Sequence, residues 1–193
     1  IVAPSTPFDY VGLMNAALMC EDPVLVLEHV ELYTSKGPAP VEDFDYIIPL
    51  GKAKVVRPGR DVTVLTYLSM VEKCRGVVAR LGVDAEIIDL RSLDRAGVDW
   101  QTIEASIRKT GNVLIVEQGV VGTSYGGWLA DELQRRVFDW LDQPIRRVHG
   151  AEASPSISKV LEAAACARPQ DIEAALRSVM ADQGRPLSVP TGG

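Results

Sequence analysis

The sequence contains few of the residues that bind metals or form disulfides. Among 193 residues there are two histidines and three cysteines, and the cysteines (Cys20, Cys74 and Cys166) lie far apart, without a Cys-x-x-Cys pair. A structural zinc site needs closely spaced Cys and His ligands, so no such site is expected. Isolated cysteines also favour a reducing compartment over a secreted, disulfide-bonded protein.

The chain also lacks a long apolar run and an excess of positive charge. No stretch approaches the roughly 20 apolar residues that span a bilayer, so no membrane partner is expected. The 20 Lys and Arg are outnumbered by 26 Asp and Glu, which gives a net charge of −6. Without clusters of basic residues, the chain is a poor candidate for binding nucleic acid. Its hydrophobic content of 47% is ordinary for a globular protein.

A helix is predicted close to the start of the sequence. Thr6 is a suitable N-cap for a helix over residues 7–19, and proline occupies the first helical position. The residues expected on its buried stripe are Val11, Met14 and Leu18. The apolar run 24–28 predicts a strand that is covered on both faces. One helix and one strand are too small for a domain, and the sequence opens without Met, so we expect a piece of a longer protein.

The segment 35–60 is rich in proline and glycine and has no regular hydrophobic period. It is interpreted as an interdomain linker. Its centre, residues 46–50, is apolar, so we expect this part to lie against a folded domain.

Strands and helices alternate from residue 61 to residue 181. Strands are predicted at 62–67, 86–90, 113–117 and 145–148. The helices between them have N-terminal signals at Ser69, which begins a capping-box pattern, at Asp99 and at Pro169. This alternation predicts right-handed βαβ units and an α/β domain with a mostly parallel sheet flanked by helices. Residues 182–193 are expected to fray.

Few residues have an obvious chemical role. The glycine-rich loop 119–127 lies where α/β sheets bind anions, but it matches neither the dinucleotide-binding nor the Walker A pattern, so a tight structural turn is favoured. Glu28 and Glu117 each end a predicted strand, where a carboxylate can act as a general base, cap a helix or pair with arginine. His29 and His149 are isolated in the sequence, and a structural role is favoured for each.

Several sequence blocks, in order along the chain, resemble the beta subunits of 2-oxo acid dehydrogenases. The blocks are residues 48–55 (IPLGKAKV), 59–64 (GRDVTV), 88–93 (IDLRSL), 102–111, 117–119 and 138–144. Upstream residues, to about 33, resemble the end of that family's pyrimidine-binding domain. The pyruvate dehydrogenase type is the nearest, and the acetoin and branched-chain types are alternatives. The C-terminal domain of a transketolase-like enzyme and a non-enzymatic docking domain are further alternatives.

The resemblance implies a domain division. Residues 1–34 would be the last helix-strand unit of a pyrimidine-binding domain, and 35–60 the linker. Residues 61–181 would form a transketolase C-terminal-like domain, and 182–193 a tail.

The resemblance also implies an enzyme that uses thiamine diphosphate and Mg²⁺. In the family, two alpha and two beta subunits decarboxylate a 2-oxo acid and acylate the lipoyl group of an acyltransferase core. The implied partners are the alpha subunit, a second beta subunit and that core, in the bacterial cytoplasm or the mitochondrial matrix. No catalytic or cofactor-binding residue of the family is carried onto this sequence, so this portion is expected to serve assembly and docking and to be inactive alone.

Two sites are implied as well. A potassium ion would bind at the turn after the first helix, through Ala17, Leu18, Cys20 and Asp22; a helix end satisfied by water is the alternative. Asp139 and Asp142 are candidates for contacting a basic segment of the acyltransferase, with a solvated acidic turn as the alternative.

Overall fold

A computed structural model describes residues 1–37, 43–154 and 156–187. Within these ranges the centre of the molecule is a five-stranded sheet with the order β1-β3-β2-β4-β5. The strands are β1 (Lys54–Arg57), β2 (Val62–Thr66), β3 (Ala85–Asp89), β4 (Val113–Val120) and β5 (Arg146–Gly150). The pairs β2–β3, β2–β4 and β4–β5 are parallel, and β1 lies antiparallel to β3 at one edge. The mostly parallel sheet is confirmed, and β1 adds a strand inside the segment interpreted as a linker.

Helices cover both faces of this sheet. The described helices are α1 (Pro7–Met19), α2 (Met70–Leu81), α3 (Trp100–Thr110), α4 (Tyr125–Val137), α5 (Lys159–Ala165) and α6 (Pro169–Asp182). Helices α2 and α6 share one core with the sheet, and α3 and α4 share the other. The chain therefore leaves β2 toward one face and leaves the neighbouring β4 toward the opposite face. The carboxyl ends of β2 and β4 form the topological switch point of the sheet.

The termini of the domain's helices follow the sequence signals, with one exception. Asp99 caps α3 by accepting the Thr102 N–H at 3.2 Å, and Gly111 ends that helix in the left-handed region at φ 65°. The capping box predicted at Ser69 is wrong. Ser69 has helical backbone angles (φ −62°, ψ −21°) and makes no capping hydrogen bond, because a cap side chain reaches the first turn from an extended backbone.

Helix α1 has the predicted bounds and its N-cap at Thr6, but the predicted buried stripe is wrong. The buried residues are Asp9, Gly12, Leu13 and Ala16, whereas Leu18 is 78% exposed. The helix is apolar around most of its circumference, so its period did not distinguish the faces. Gly12 decides the orientation, because a Cβ there would lie 2.6 Å from Ile48 and from the Tyr46 ring.

The regular strand predicted at 24–28 is absent from the described structure. Val26 forms only an isolated bridge, to Val2, and Leu25 is 64% exposed. Val2 lies between two chain segments, since it is bridged to Val26 on one side and to Ser92 on the other. No further strand lies beyond 24–28 in the described part of the chain, and the sheet partners of this segment are expected outside the given sequence, so its burial on both faces stays a prediction.

The centre of the segment 35–60 packs onto the N-terminal residues, as expected. Ile48 is buried beside Leu13, and the Tyr46 ring stacks on Phe8 with centroids 4.4 Å apart. Over the ranges that the structure describes, no helix is long and apolar enough to cross a bilayer.

Candidate functional site

Residues 1–37 contact the α/β domain along the carboxyl edge of its sheet. After β3, the Ala3 N–H donates to the Arg91 carbonyl at 2.7 Å, and the Leu93 N–H donates to the Ile1 carbonyl at 2.9 Å. In the last residues of β4, Gln118 Oε1 lies 2.5 Å from His29 Nε2. This edge is the place where parallel α/β sheets hold their ligands.

A buried ion pair joins α1 to the end of β3. The Asp9 side chain is fully buried, and Arg91 Nη2 donates to Asp9 Oδ1. Lys54 Nζ lies 3.9 Å from the same oxygen, and the Thr6 hydroxyl donates to Asp9 Oδ2 at 2.5 Å. Arg91 adopts a positive φ of 55°, which is uncommon for a residue with a side chain. The pair therefore holds the N-terminal residues in one orientation on the domain.

Asp89 lies in the same cluster, and no cationic side chain among the described residues donates a hydrogen bond to it. Its Oδ1 accepts the Arg91 backbone N–H at 3.1 Å, and the Ser5 hydroxyl donates to its Oδ2. Burial outweighs these favourable contacts and, together with the charge of Asp9, raises the pKa of Asp89 to about 7. Asp89 therefore titrates near neutral pH at the contact between the two parts of the chain.

Glu117 is fully buried within β4, and four groups contact its carboxylate. It accepts the Gly126 N–H at 2.8 Å, the Ser124 hydroxyl at 2.7 Å and the Tyr67 hydroxyl at 3.2 Å, and Arg147 Nη2 lies 3.0 Å away. The sequence left three roles open for Glu117: general base, helix cap or arginine partner. Its contacts are those of a helix cap and an arginine partner.

The glycine-rich loop is a structural turn. A Cβ on Gly126 would lie 2.3 Å from Glu117 Oε1, so only glycine lets this carboxylate reach the N-terminus of α4. The position where an external anion would bind at α4 is thus occupied by Glu117. Burial raises the pKa of Tyr67 well above its usual value, with Glu117 adding to the effect, so Tyr67 stays a neutral donor.

Glu31 makes a second contact between the two parts of the chain, beside the His29–Gln118 bond. Its Oε2 lies 2.7 Å from Lys73 Nζ on α2. The hydrogen bond from Lys73 is the main cause that lowers the pKa of Glu31. A carboxylate is therefore held near the N-terminus of α2.

A cleft of about 300 Å³ lies between α1 and residues 27–35. Its walls are mostly apolar, and Glu28 supplies a carboxylate. The Tyr10 and Tyr33 hydroxyls each donate to Glu28 at 2.7 Å, and these bonds hold the pKa of that carboxyl below its usual value. Glu28 is exposed rather than at the end of a buried strand, so the cleft suits an apolar group that is accompanied by a positive charge.

The predicted potassium ligands lie at the end of α1. The Cys20 N–H donates to the Ala17 carbonyl at 3.3 Å, while Leu18 and Asp22 are exposed. No group of three or more His, Cys, Asp or Glu side chains that could hold a metal occurs among the described residues. The proposed potassium ligands are mainly main-chain carbonyls rather than such side chains, so the potassium site stays a prediction.

The predicted docking residues lie on the opposite, amino edge of the sheet or near it. Asp139 is exposed in a short 3₁₀ helix (Phe138–Trp140). The Asp142 N–H donates to the Gly111 carbonyl at 2.8 Å, and its side chain lines a polar cleft of about 340 Å³ with Arg60 and Arg185. Docking through Asp139 and Asp142 stays a prediction.

The contacts of four charged residues at the carboxyl edge were not predicted from the sequence. The residues concerned are Asp9, Asp89, Arg91 and Lys73. A signal was present for two of them, because an acid lay within an apolar helix and another ended an apolar strand. Their partners lie 82 to 84 residues away along the chain, a separation that local patterns do not report.

Comparison with known families identifies the fold unit. The transketolase C-terminal domain family matches residues 51–172, most of the chain. The split-gene transketolase in an inactive beta4 tetramer is 24% identical and superposes with a TM-score of 0.55 over 75% of this chain and 46% of that one. This likeness confirms the fold.

The curated relatives are beta subunits. A mitochondrial pyruvate dehydrogenase E1 component subunit beta of Dictyostelium discoideum is 34% identical over 93% of this chain and 51% of the relative. The corresponding subunit of Porphyra purpurea is 36% identical over 93% of this chain and 54% of its own length. The 2-oxoisovalerate dehydrogenase subunit beta of Pseudomonas aeruginosa is 41% identical over 77% of this chain and 46% of the relative. The chain spans about half the length of these relatives, and it belongs to the transketolase C-terminal domain family.

Proposed function

We propose that this chain is part of the beta subunit of a pyruvate dehydrogenase-type 2-oxo acid dehydrogenase. The observation that carries the proposal is the identity of 34% and 36%, over 93% of the chain, to subunits of that name. With its alpha subunit, the whole enzyme would decarboxylate a 2-oxo acid and acylate the lipoyl group of an acyltransferase. The bacterial cytoplasm or the mitochondrial matrix is the proposed location.

The proposed role of this portion is assembly and docking. Large apolar side chains on the N-terminal residues are exposed, which is typical of a surface that another chain or domain covers. They include Leu18, Met19, Leu25, Val30 and Tyr33. The proposed partners are the alpha subunit and a second beta subunit at this surface, and the acyltransferase core at Asp139 and Asp142. The proposed domain division is 1–34, 35–60, 61–181 and 182–193, with β1 as the part of 35–60 that joins the sheet.

Thiamine diphosphate and Mg²⁺ would belong to the assembled enzyme. The described residues offer the Mg²⁺ ion no group of three or more His, Cys, Asp or Glu side chains. Glu117, a fully buried carboxylate near the carboxyl edge, is already engaged by four groups. We therefore derive no catalytic step through the cofactor from these residues.

Binding to purified alpha subunits tests the proposal. The chain should bind an alpha subunit of the pyruvate type, and Leu25→Glu should weaken binding because it places a charge on the exposed apolar surface. Ile157→Glu is the matched control, since Ile157 is also apolar and exposed but lies in the C-terminal domain. Absence of binding, or equal losses in the two variants, would contradict the proposed role.

A branched-chain 2-oxo acid dehydrogenase is the second candidate. It is favoured by the identity of 41% to the 2-oxoisovalerate dehydrogenase subunit, although over 77% of the chain. Tighter binding to an alpha subunit of the branched-chain type than to one of the pyruvate type would select this candidate. In either case the chain alone, given thiamine diphosphate and Mg²⁺, should not turn over pyruvate or 2-oxoisovalerate.

A further inference from the structure

The switch point between β2 and β4 is covered by the chain's own residues 29–31. In doubly wound sheets, the crevice outside the carboxyl ends of two such strands is the general position of a ligand. Here His29 contacts Gln118 at the end of β4, and Glu31 contacts Lys73 on the helix that follows β2. The Glu31 N–H also donates to His29 Nδ1 at 3.2 Å, which ties the two residues into one turn.

The groups around Glu31 are those that bind an oxyanion. Lys73 Nζ lies 2.7 Å from Glu31 Oε2, and only 23% of the Lys73 side chain is exposed. Helix α2 has 12 residues, and the positive end of its dipole is at the start of this helix. Because Ser69 makes no capping hydrogen bond, the N–H groups of the first turn lack a capping side chain.

The Ser69 hydroxyl is a second, independent indication of a ligand. Ser69 is 4% exposed, and its Oγ has no hydrogen-bond partner of normal geometry in the described parts of the chain. The Ser69 hydroxyl faces the Glu31 carboxyl. It is the weakest of several causes that lower the pKa of that carboxyl. A buried hydroxyl that lacks a partner of normal geometry is costly, and a better placed oxygen of a bound anion would satisfy it.

Glu31 itself is held loosely. Its side chain is 53% exposed, and Lys73 is its nearest cationic partner. His29 Nδ1 lies 4.0 Å away, and the other nearby acid, Glu72, is paired with Arg75. Ion pairs with an exposed member are weak, so an oxyanion in solution can compete with this carboxylate.

We propose that Lys73, Ser69 and the first turn of α2 form a binding site for a carboxylate or a phosphate, which Glu31 occupies as an internal carboxylate until a ligand displaces it. The site lies at the contact between residues 1–37 and the domain. Binding would therefore release the turn at 29–31 and weaken one contact between the two parts of the chain.

Titration with inorganic phosphate and, separately, with acetate tests the site, at constant ionic strength and with amide chemical shifts as the readout. Glu31→Gln removes the competing charge and should bind the anion about fivefold more tightly than the unsubstituted chain. Glu28→Gln is the control, because it removes the same charge three residues earlier and should leave the affinity unchanged. Lys73→Met should abolish binding, and the stronger of the two anions identifies the class of ligand.

Shifts at Ser69, at the amides at the start of α2 and at the turn 29–31 are expected. Equal affinity in Glu31→Gln and the unsubstituted chain, or binding that persists in Lys73→Met, would overturn the proposal. So would a melting temperature that falls in Glu31→Gln and is not restored by either anion, because that is the behaviour of a purely structural ion pair. Should Glu31→Gln not fold, the unsubstituted chain and Lys73→Met still decide, since only the former should bind.

Discussion

Replacing Arg91 with methionine should be among the most damaging single changes at the contact between residues 1–37 and the domain. The substitution keeps much of the side-chain volume and removes the cation that Asp9 contacts. Asp9 is fully buried, and the Arg91 side chain is 10% exposed, so water does not replace the lost partner. Removing one member of a buried ion pair typically costs about 3–5 kcal/mol, because a buried charge is left uncompensated.

One local feature places Arg91→Met at the lower end of that range, and a second leaves the expected loss unchanged. Lys54 Nζ lies 3.9 Å from the same Asp9 oxygen and can offset part of the loss. Arg91 also holds a positive φ of 55°, which a methionine would share, so the backbone cost does not change. We therefore expect a loss of about 3 kcal/mol in the free energy of unfolding. For a domain of this size that corresponds to a melting temperature lower by about 6–12 °C.

Urea unfolding followed by circular dichroism measures this loss. The double variant Asp9→Asn with Arg91→Met removes both charges and should recover much of the stability, giving a strong coupling in a double-mutant cycle. Arg75→Met is the control, because Arg75 and its partner Glu72 are both about half exposed and such a pair contributes under about 1 kcal/mol. If Arg91→Met costs no more than Arg75→Met, or if the two single losses simply add, the reasoning is refuted.

Three other predictions concern titration, association and ion binding. The pKa of Asp89 is raised in the folded chain, so its contribution to stability is complete below about pH 4 and is lost as the pH rises toward 7. Asp89→Asn should flatten this decline, measured as the urea midpoint of unfolding at each pH. An unchanged slope of the midpoint against pH would contradict the prediction. The exposed Leu18, Met19 and Leu25 should make the purified chain self-associate, and light scattering that shows only monomer at high concentration would count against this. Potassium chloride should raise the melting temperature more than choline chloride does, and Asp22→Ala should lose that gain; an equal gain in the variant would exclude the site.

The order of strands and helices in the domain was predictable because it depends on local patterns. Asp99 caps the start of α3 with its side chain, and Gly82 and Gly111 end α2 and α3 in the left-handed conformation, so the local sequence reveals these helix ends directly. The apolar run at 113–117 requires burial on both faces, and β4 indeed lies inside the sheet. By contrast, β1 was missed because its four residues are only partly buried and its partner β3 lies some 30 residues farther along the chain.

Burial of α1 and of residues 24–28 was not predictable in the same way. Both segments are apolar on more than one side, so their hydrophobic pattern is compatible with several orientations. Contacts between residues distant in sequence determine the orientation of each segment. Ile48 and Tyr46 pack closely against Gly12, which has no side chain, and Val2 pairs with Val26. The remaining apolar residues stay exposed.

By itself the sequence determined the α/β class, the helix ends and the family resemblance, because periodicity and turn chemistry act over a few residues. Only the tertiary structure decided which acids have partners. Glu117 meets Arg147 and the start of α4, Asp9 meets Arg91, and Glu31 meets Lys73. The physical reason is that a carboxylate's role depends on its burial and on the donors that the fold brings within about 3 Å of it, and chain separation carries no information about that distance.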